Sequence, residues 1–181
     1  MLFTAKEVAT KEQSLEFVHS LVHDSKHVVL AKTTLLQAQL GTIQENSVIH
    51  LTSKGTVSLI ALIEWAALQI APCELYFCTW AVSKAPIEKL LQLRRGGYLT
   101  ALHGLFSNRL ETNHAEAYAQ LKQNCNSFGE ATTHAKVAVL YQPQTGQNIV
   151  INGSMNLSNN PRIESVTITS DKPTALFHIQ W

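Results

Sequence analysis

Apolar positions along this chain fall into two patterns, helical spacing and short continuous runs, and the two alternate. Leu15, Val18, Leu21 and Val22 recur at helical spacing behind a capping box of Thr10 and Gln13, predicting a helix over about Val8 to Asp24. The stretch from His27 to Leu40 is ambiguous. HVVLA reads as a strand, and Thr33 to Leu40 reads as a second one. SVIHLT, from Ser47 to Thr52, is strand-like. Val57 to Ile70 is a near-continuous apolar helix that Pro72 stops. Cys73 to Trp80 (CELYFCTW) is rich in aromatics and reads as a central strand. Ser83 to Arg95 is a helix with Pro86 in its first turn and Gly96-Gly97 at its end. Tyr98 to Phe106 is a strand and Glu111 to Asn126 a helix. Ala135 to Tyr141 is a strand, QPQTG a turn, Asn148 to Ile151 its hairpin partner, and Ser165 to Thr169 a last strand.

Strands that alternate with helices predict an α/β fold: a mixed, mostly parallel sheet flanked by helices on both faces. The late hairpin adds an antiparallel part at the C-terminal end. The 181 residues contain no repeat, low-complexity stretch or clear linker, so one domain over residues 1–181 is expected.

Composition narrows the function classes. Hydrophobic residues make up 45% and charged residues 15%, enough for a sizeable core and against wholesale disorder. The formal net charge of +1 gives no basic footprint, so any anion site must be local. Cys73, Cys78 and Cys125 are odd in number and include no CxxC pair, which points to reduced thiols rather than a disulfide framework or a zinc site. The N-terminus carries charges where a secretory signal would be apolar. VSLIALIEWAALQIAP is short for a membrane span and contains Glu64. A cytoplasmic protein with no membrane association is therefore expected.

The chemistry concentrates between His134 and Glu164. In an extended chain, residues two apart share a face, so His134 and Lys136 are expected side by side, with Ala135, Val137 and Val139 pointing the other way. Across the hairpin, Gly153 permits a turn or close backbone approach, and Ser154 and Asn156 share a face. An imidazole, an ammonium, a hydroxyl and an amide together suit a tetrahedral oxyanion. Lys136 would offset its charge, Asn156 would donate to it, and His134 would attack or shuttle a proton.

His134-Ala135-Lys136 followed by Gly153-Ser154-Met155-Asn156 resembles the HxK…GSxN signature of the phospholipase D superfamily. The thirty or so residues that carry the resemblance are similar to phospholipase D-like proteins of prophages. The resemblance implies metal-independent phosphodiester cleavage, with no cofactor, through a phosphohistidine. It also implies a second motif. The chain holds one HxK, so a homodimer that brings two copies of His134 together is expected. By position, His134 would be nucleophile or general acid, Lys136 and Asn156 would bind phosphate, Ser154 would orient the site, and Glu164 would fix a histidine's second nitrogen. The pattern departs at Tyr141, where the family has an aspartate that acts mainly as a structural partner.

Two function classes follow. The first is a phosphodiesterase acting on nucleic acid, a nuclease. The second is a catalytically inactive phosphate- or nucleic-acid-binding module, which the loss of aspartate at Tyr141 favours. A lipid phosphodiesterase would need an apolar entry surface, and no segment reads as one. Other residues have ordinary explanations. His19 and His23, four apart on the first helix, have metal-ligand spacing but lack a carboxylate motif. His103, Thr79 and Trp80 can line a pocket or simply pack. Arg94-Arg95 complements a helix dipole, and Arg109 and Arg162 are solvated loop residues or phosphate contacts. Lys172 to Trp181, with Leu176, Phe177 and Ile179, covers the core or forms an interface.

Overall fold

The structure, a computed structural model, describes residues 19–20, 25–30, 36–55, 57–158 and 162–180. Its strands are β1 (His19–Ser20), β2 (Ser25–Leu30), β3 (Val48–Ser53), β4 (Cys73–Thr79), β5 (Leu99–Ser107), β6 (Ser127–Ala131), β7 (Val137–Tyr141), β8 (Asn148–Gly153) and β9 (Glu164–Thr169). Its helices are α1 (Leu36–Leu40), α2 (Leu59–Ile70), α3 (Lys84–Arg95), α4 (Leu110–Asn113), α5 (Ala115–Asn124) and α6 (Lys172–Ile179).

Among the described residues the strands form one nine-stranded sheet in the order β1-β2-β3-β9-β8-β7-β4-β5-β6. The sheet is mixed, as expected, but it is not mostly parallel. Among the described residues, β2–β3, β4–β5 and β5–β6 pair parallel, while β1–β2, β3–β9, β9–β8, β8–β7 and β7–β4 pair antiparallel. The reason is topological. Strands β7, β8 and β9 follow one another as a meander, and that meander slots between β3 and β4. Short hairpin connections can only give antiparallel neighbours. In the β7–β8 turn, Gly146 supplies φ +76°, and Gln142 N–H donates to Gln147 O at 2.9 Å.

One face of the sheet carries the main core. Helix α2 is capped by Ser58, whose hydroxyl accepts from Ala61 N at 3.4 Å, and it buries Leu59, Leu62, Ile63, Ala66 and Ala67 over β7 and β8. Its one charge, Glu64, pairs with Lys89 of α3 at 2.7 Å, which explains an acid inside so apolar a run. Helix α3 packs on β5, α2 and α5, with Ile87, Leu90 and Leu93 buried. The other face is more thinly covered. There α6 lies over β7 and β8 and seats Ala175 against Val137, Val139 and Val150. Asp171 caps it by accepting from Thr174 N at 2.8 Å, so the C-terminal segment is a helix that closes the second face at this point.

Several expectations are corrected. Thr33 to Leu40 is not a strand where described: Leu36–Leu40 is helical and tucks Leu36 and Leu40 inward. The helix over Val8 to Asp24 lies outside the described residues except at His19–Ser20, which form a short strand. Glu111 to Asn126 is two helices, broken at His114 by φ −146° and ψ 50°. Beyond them β6 was not anticipated at all.

Candidate functional site

The antiparallel meander brings many strand ends to one edge of the sheet. Strands β3, β4, β5, β6 and β8 end there, and β7 and β9 begin there. Pairing of Val137 with Asn152, and Lys136 O accepting from Gly153 N at 3.2 Å, carries the register past the strand itself. The HxK segment thereby lies beside GSMN. Gly153 is required here, because a Cβ would sit 2.8 Å from Val166 Cα and closer still to Ser165 O. The close approach of β8 to β9 leaves no room for one.

Strand β7 begins only at Val137, so His134 and Lys136 are not paired strand residues with parallel side chains as expected. The segment ahead of it turns. Thr133 Oγ1 accepts from Ala135 N at 3.1 Å, and the Lys136 side chain folds back. Its Nζ donates to His134 O at 2.7 Å and lies 3.2 Å from His134 Nδ1 and 3.5 Å from Nε2. The two side chains meet even so, by a different route. An ammonium can only donate, so the ring nitrogen facing it presents a lone pair. His134 is exposed and Lys136 buried. Burial lowers the Lys136 pKa from its ordinary value, and the neighbouring Glu164 and Cys78 partly offset that.

The second motif is set by alternation. Met155 and Leu157 are buried in the core, which leaves Ser154 exposed and Asn156 half-buried on the site side. Ser154 accepts from Ser165 N at 3.1 Å and donates to the Glu164 carboxylate. Glu164 is buried. The serine hydroxyl is thus engaged by the acid, and Glu164 lies within electrostatic reach of Lys136. Asn156 turns Oδ1 towards Thr79 Oγ1, 3.4 Å away, so its amide NH2, the end that can donate to an anion, faces elsewhere.

Two neighbours carry more than sequence reasoning assigned them. Thr79, fully buried at the end of β4, donates to Ala81 O at 2.9 Å and accepts from Leu157 N at 3.1 Å. Ser83 N donates to Leu157 O at 3.0 Å, and the two contacts tie the GSMN segment to the end of β4. A hydroxyl closing an apolar run was the available signal. Trp80 comes next, with its ring centroid 5.3 Å from that of His134 and the planes at 53°.

His103 is not at this edge. It pairs with Tyr76 three positions back along β4 and β5, stacks on the Tyr76 ring at 4.4 Å, and lies 2.8 Å from Ser127 Oγ. It lines a cavity of about 300 Å³ on the thinly covered face, with Tyr76, Cys78, Leu105, Val137 and Val139. Arg109 is exposed just past β5 and Arg162 just before β9, both at the site edge of the sheet. His23 lies outside the described residues. Among the described residues no helix is long and apolar enough to cross a membrane.

No protein-family model matches this chain, and no curated protein sequence does. The fold does have a counterpart among solved structures. The crystal structure of polyphosphate kinase from Porphyromonas gingivalis aligns with a TM-score of 0.52 at 13% identity. The alignment covers 73% of this chain and 25% of that one, so this chain spans about a quarter of the kinase's length. At this identity the likeness is one of fold.

Proposed function

We propose that the protein is a metal-independent phosphodiesterase, a nuclease, whose site is shared by two copies of this one-domain chain acting in the cytoplasm. The observation that carries the reading is Lys136 Nζ resting on the His134 ring, with Asn156 and the Ser154–Glu164 pair on adjoining strand ends. A histidine nitrogen beside a buried cation and an amide donor suits attack on a phosphorus whose oxygens need charge neutralised. The fold shared with a polyphosphate kinase is compatible with phosphoryl-transfer chemistry, as an analogy of fold.

In this mechanism a ring nitrogen of His134 attacks phosphorus and forms a P–N bond as the P–O bond to the leaving group breaks. His134 of the partner subunit gives its proton to the departing oxygen. The same ring then takes a proton from water, whose oxygen attacks phosphorus, and the P–N bond breaks. Lys136 and Asn156 hold the non-bridging oxygens throughout. Glu164 acts through its neighbours as a positioning residue.

A second reading has its own support. The Lys136 ammonium faces the His134 lone pair that a nucleophile needs, an arrangement equally suited to a module that binds phosphate without turnover. The deciding experiment is cleavage of single- and double-stranded DNA and RNA in excess EDTA, with wild type against His134→Ala and a polyphosphate arm beside them. Chelator-resistant cleavage that the variant lacks is expected. A folded wild type that binds phosphate but turns over none of these substrates would leave the binding module standing.

A further inference from the structure

Trp80 is large and 40% exposed, at the edge of the sheet that also carries His134, Lys136, Ser154 and Asn156. Packing does not demand an indole there. Its backbone is fixed on both sides, by Cys78 and Thr79 in β4 and by the Thr79 hydroxyl, which bonds Ala81 O and Leu157 N. Its ring sits against His134 with the planes at 53°, so its face is not covered by a parallel imidazole stack. A partly exposed indole on a held backbone thus stands beside His134.

The charge of the chain supplies a second, independent constraint. A net charge of +1 gives the chain little excess positive charge to spread along a duplex backbone, whose neutralisation dominates duplex affinity, although Arg109 and Arg162 are exposed at this edge. Beyond the contacts of Lys136 to phosphate, affinity for a nucleic acid has to come from elsewhere. Stacking of bases on aromatic rings is sequence-tolerant and needs no charge. In a duplex each base face is covered by its neighbours, so an indole can reach only an unpaired base.

Building on the phosphodiesterase reading, we propose that Trp80 is the stacking platform for an unpaired base next to the phosphate held by Lys136 and Asn156. The substrate of this site is then single-stranded nucleic acid. Trp80 is a specificity-determining residue under this proposal, and inorganic phosphate and polyphosphate, which have no bases, should not depend on it.

The test is binding, read by fluorescence anisotropy with a labelled phosphorothioate-linked oligothymidylate, its duplex with oligodeoxyadenylate, and inorganic phosphate as competitor. Wild type, Trp80→Ala, Trp80→Phe and Lys136→Ala are compared, with phosphate binding also measured directly by calorimetry. Trp80→Ala is expected to weaken oligothymidylate binding by about 10-fold or more. Trp80→Phe should recover most of it, and both should bind phosphate as wild type does, which also shows that they fold. Lys136→Ala should lose phosphate and oligonucleotide alike. Unchanged oligothymidylate affinity in Trp80→Ala, or a wild type that prefers the duplex, would overturn the stacking role while leaving the phosphate site intact. A wild type that binds no phosphate would bring down the phosphodiesterase reading and this proposal with it.

Discussion

The two ends of β7 differ more than five residues of one strand would suggest. At its start, Lys136 is buried against His134, with Cys78, Thr133 and Glu164 around them. At its end, Tyr141 pairs with Glu74 and Asn148 and packs beside Tyr76 on the face that α6 covers. A strand rises about 3.4 Å per residue, so Tyr141 lies roughly 17 Å from Lys136. The departure from the family pattern therefore falls at the structural end of the strand. Replacing aspartate with tyrosine there takes nothing from the surroundings of His134. Under the proposed function one end holds the chemistry and the other holds the strand in place, and substitutions should separate them.

The largest effect is expected at His134. With His134→Ala, cleavage should fall to background while the melting temperature stays within a few degrees, because the side chain is exposed. Activity assays beside thermal melts check this. A variant that keeps activity would place the nucleophile elsewhere.

Lys136 comes next. Lys136→Met should cost about 100- to 1000-fold in turnover, the usual loss for one stabilising charge or donor in such a site. It should be at least as stable as wild type, because burial disfavours the ammonium. The same lowered pKa sets a pH dependence. Phosphate binding needs the charged form, so affinity should fade as pH rises through a value below the ordinary 10.5 for lysine. A phosphate titration series across alkaline pH reads the midpoint. A midpoint at or above 10.5 would mean that burial is not felt.

Ser154→Ala should have a smaller effect, about 10-fold on turnover, since one hydrogen bond to the Glu164 carboxylate is lost. Substrate affinity should hold if Ser154 acts through Glu164 and fall if it touches phosphate. The split between kcat and KM distinguishes the two.

Legibility in the sequence followed the same division between local and non-local causes. CELYFCT, the α2 run and the β7–β8 hairpin were readable because each is apolar, of the right length, and closed by Pro72, Pro143 or glycine. Strand β6 was not, because SFGEA is half-buried at best and lies on a sheet edge, with no alternation to see. Leu36 to Leu40 spans too few residues to show a helical period. The insertion of β7, β8 and β9 between β3 and β4 is a long-range event that no local pattern encodes, and it is why the sheet came out mainly antiparallel. For the site, residue types and spacing identified the cluster. They could not show that Lys136 would fold back on His134, or that Thr79 would fasten Leu157, because both depend on where β7 starts and β4 ends.

The smallest effect, and the sharpest test of the contrast between the two ends, is Tyr141→Asp. This variant installs the aspartate of the phospholipase D pattern that the motif resembles, and if that aspartate served catalysis it would raise turnover. The geometry predicts otherwise. Position 141 is directly opposite Glu74 on the neighbouring strand, and Tyr76 donates to the same Glu74 carboxylate at 2.6 Å. A second carboxylate there faces like charge in a half-buried setting and forfeits the packing of the ring against the α6 side of the sheet. Turnover should stay within about two-fold of wild type, while stability drops by about 1 kcal/mol. Tyr141→Phe, which keeps the ring and adds no charge, should change neither. A large rise in turnover with aspartate would show that the far end of β7 does reach the site, and that the division drawn along this strand is wrong.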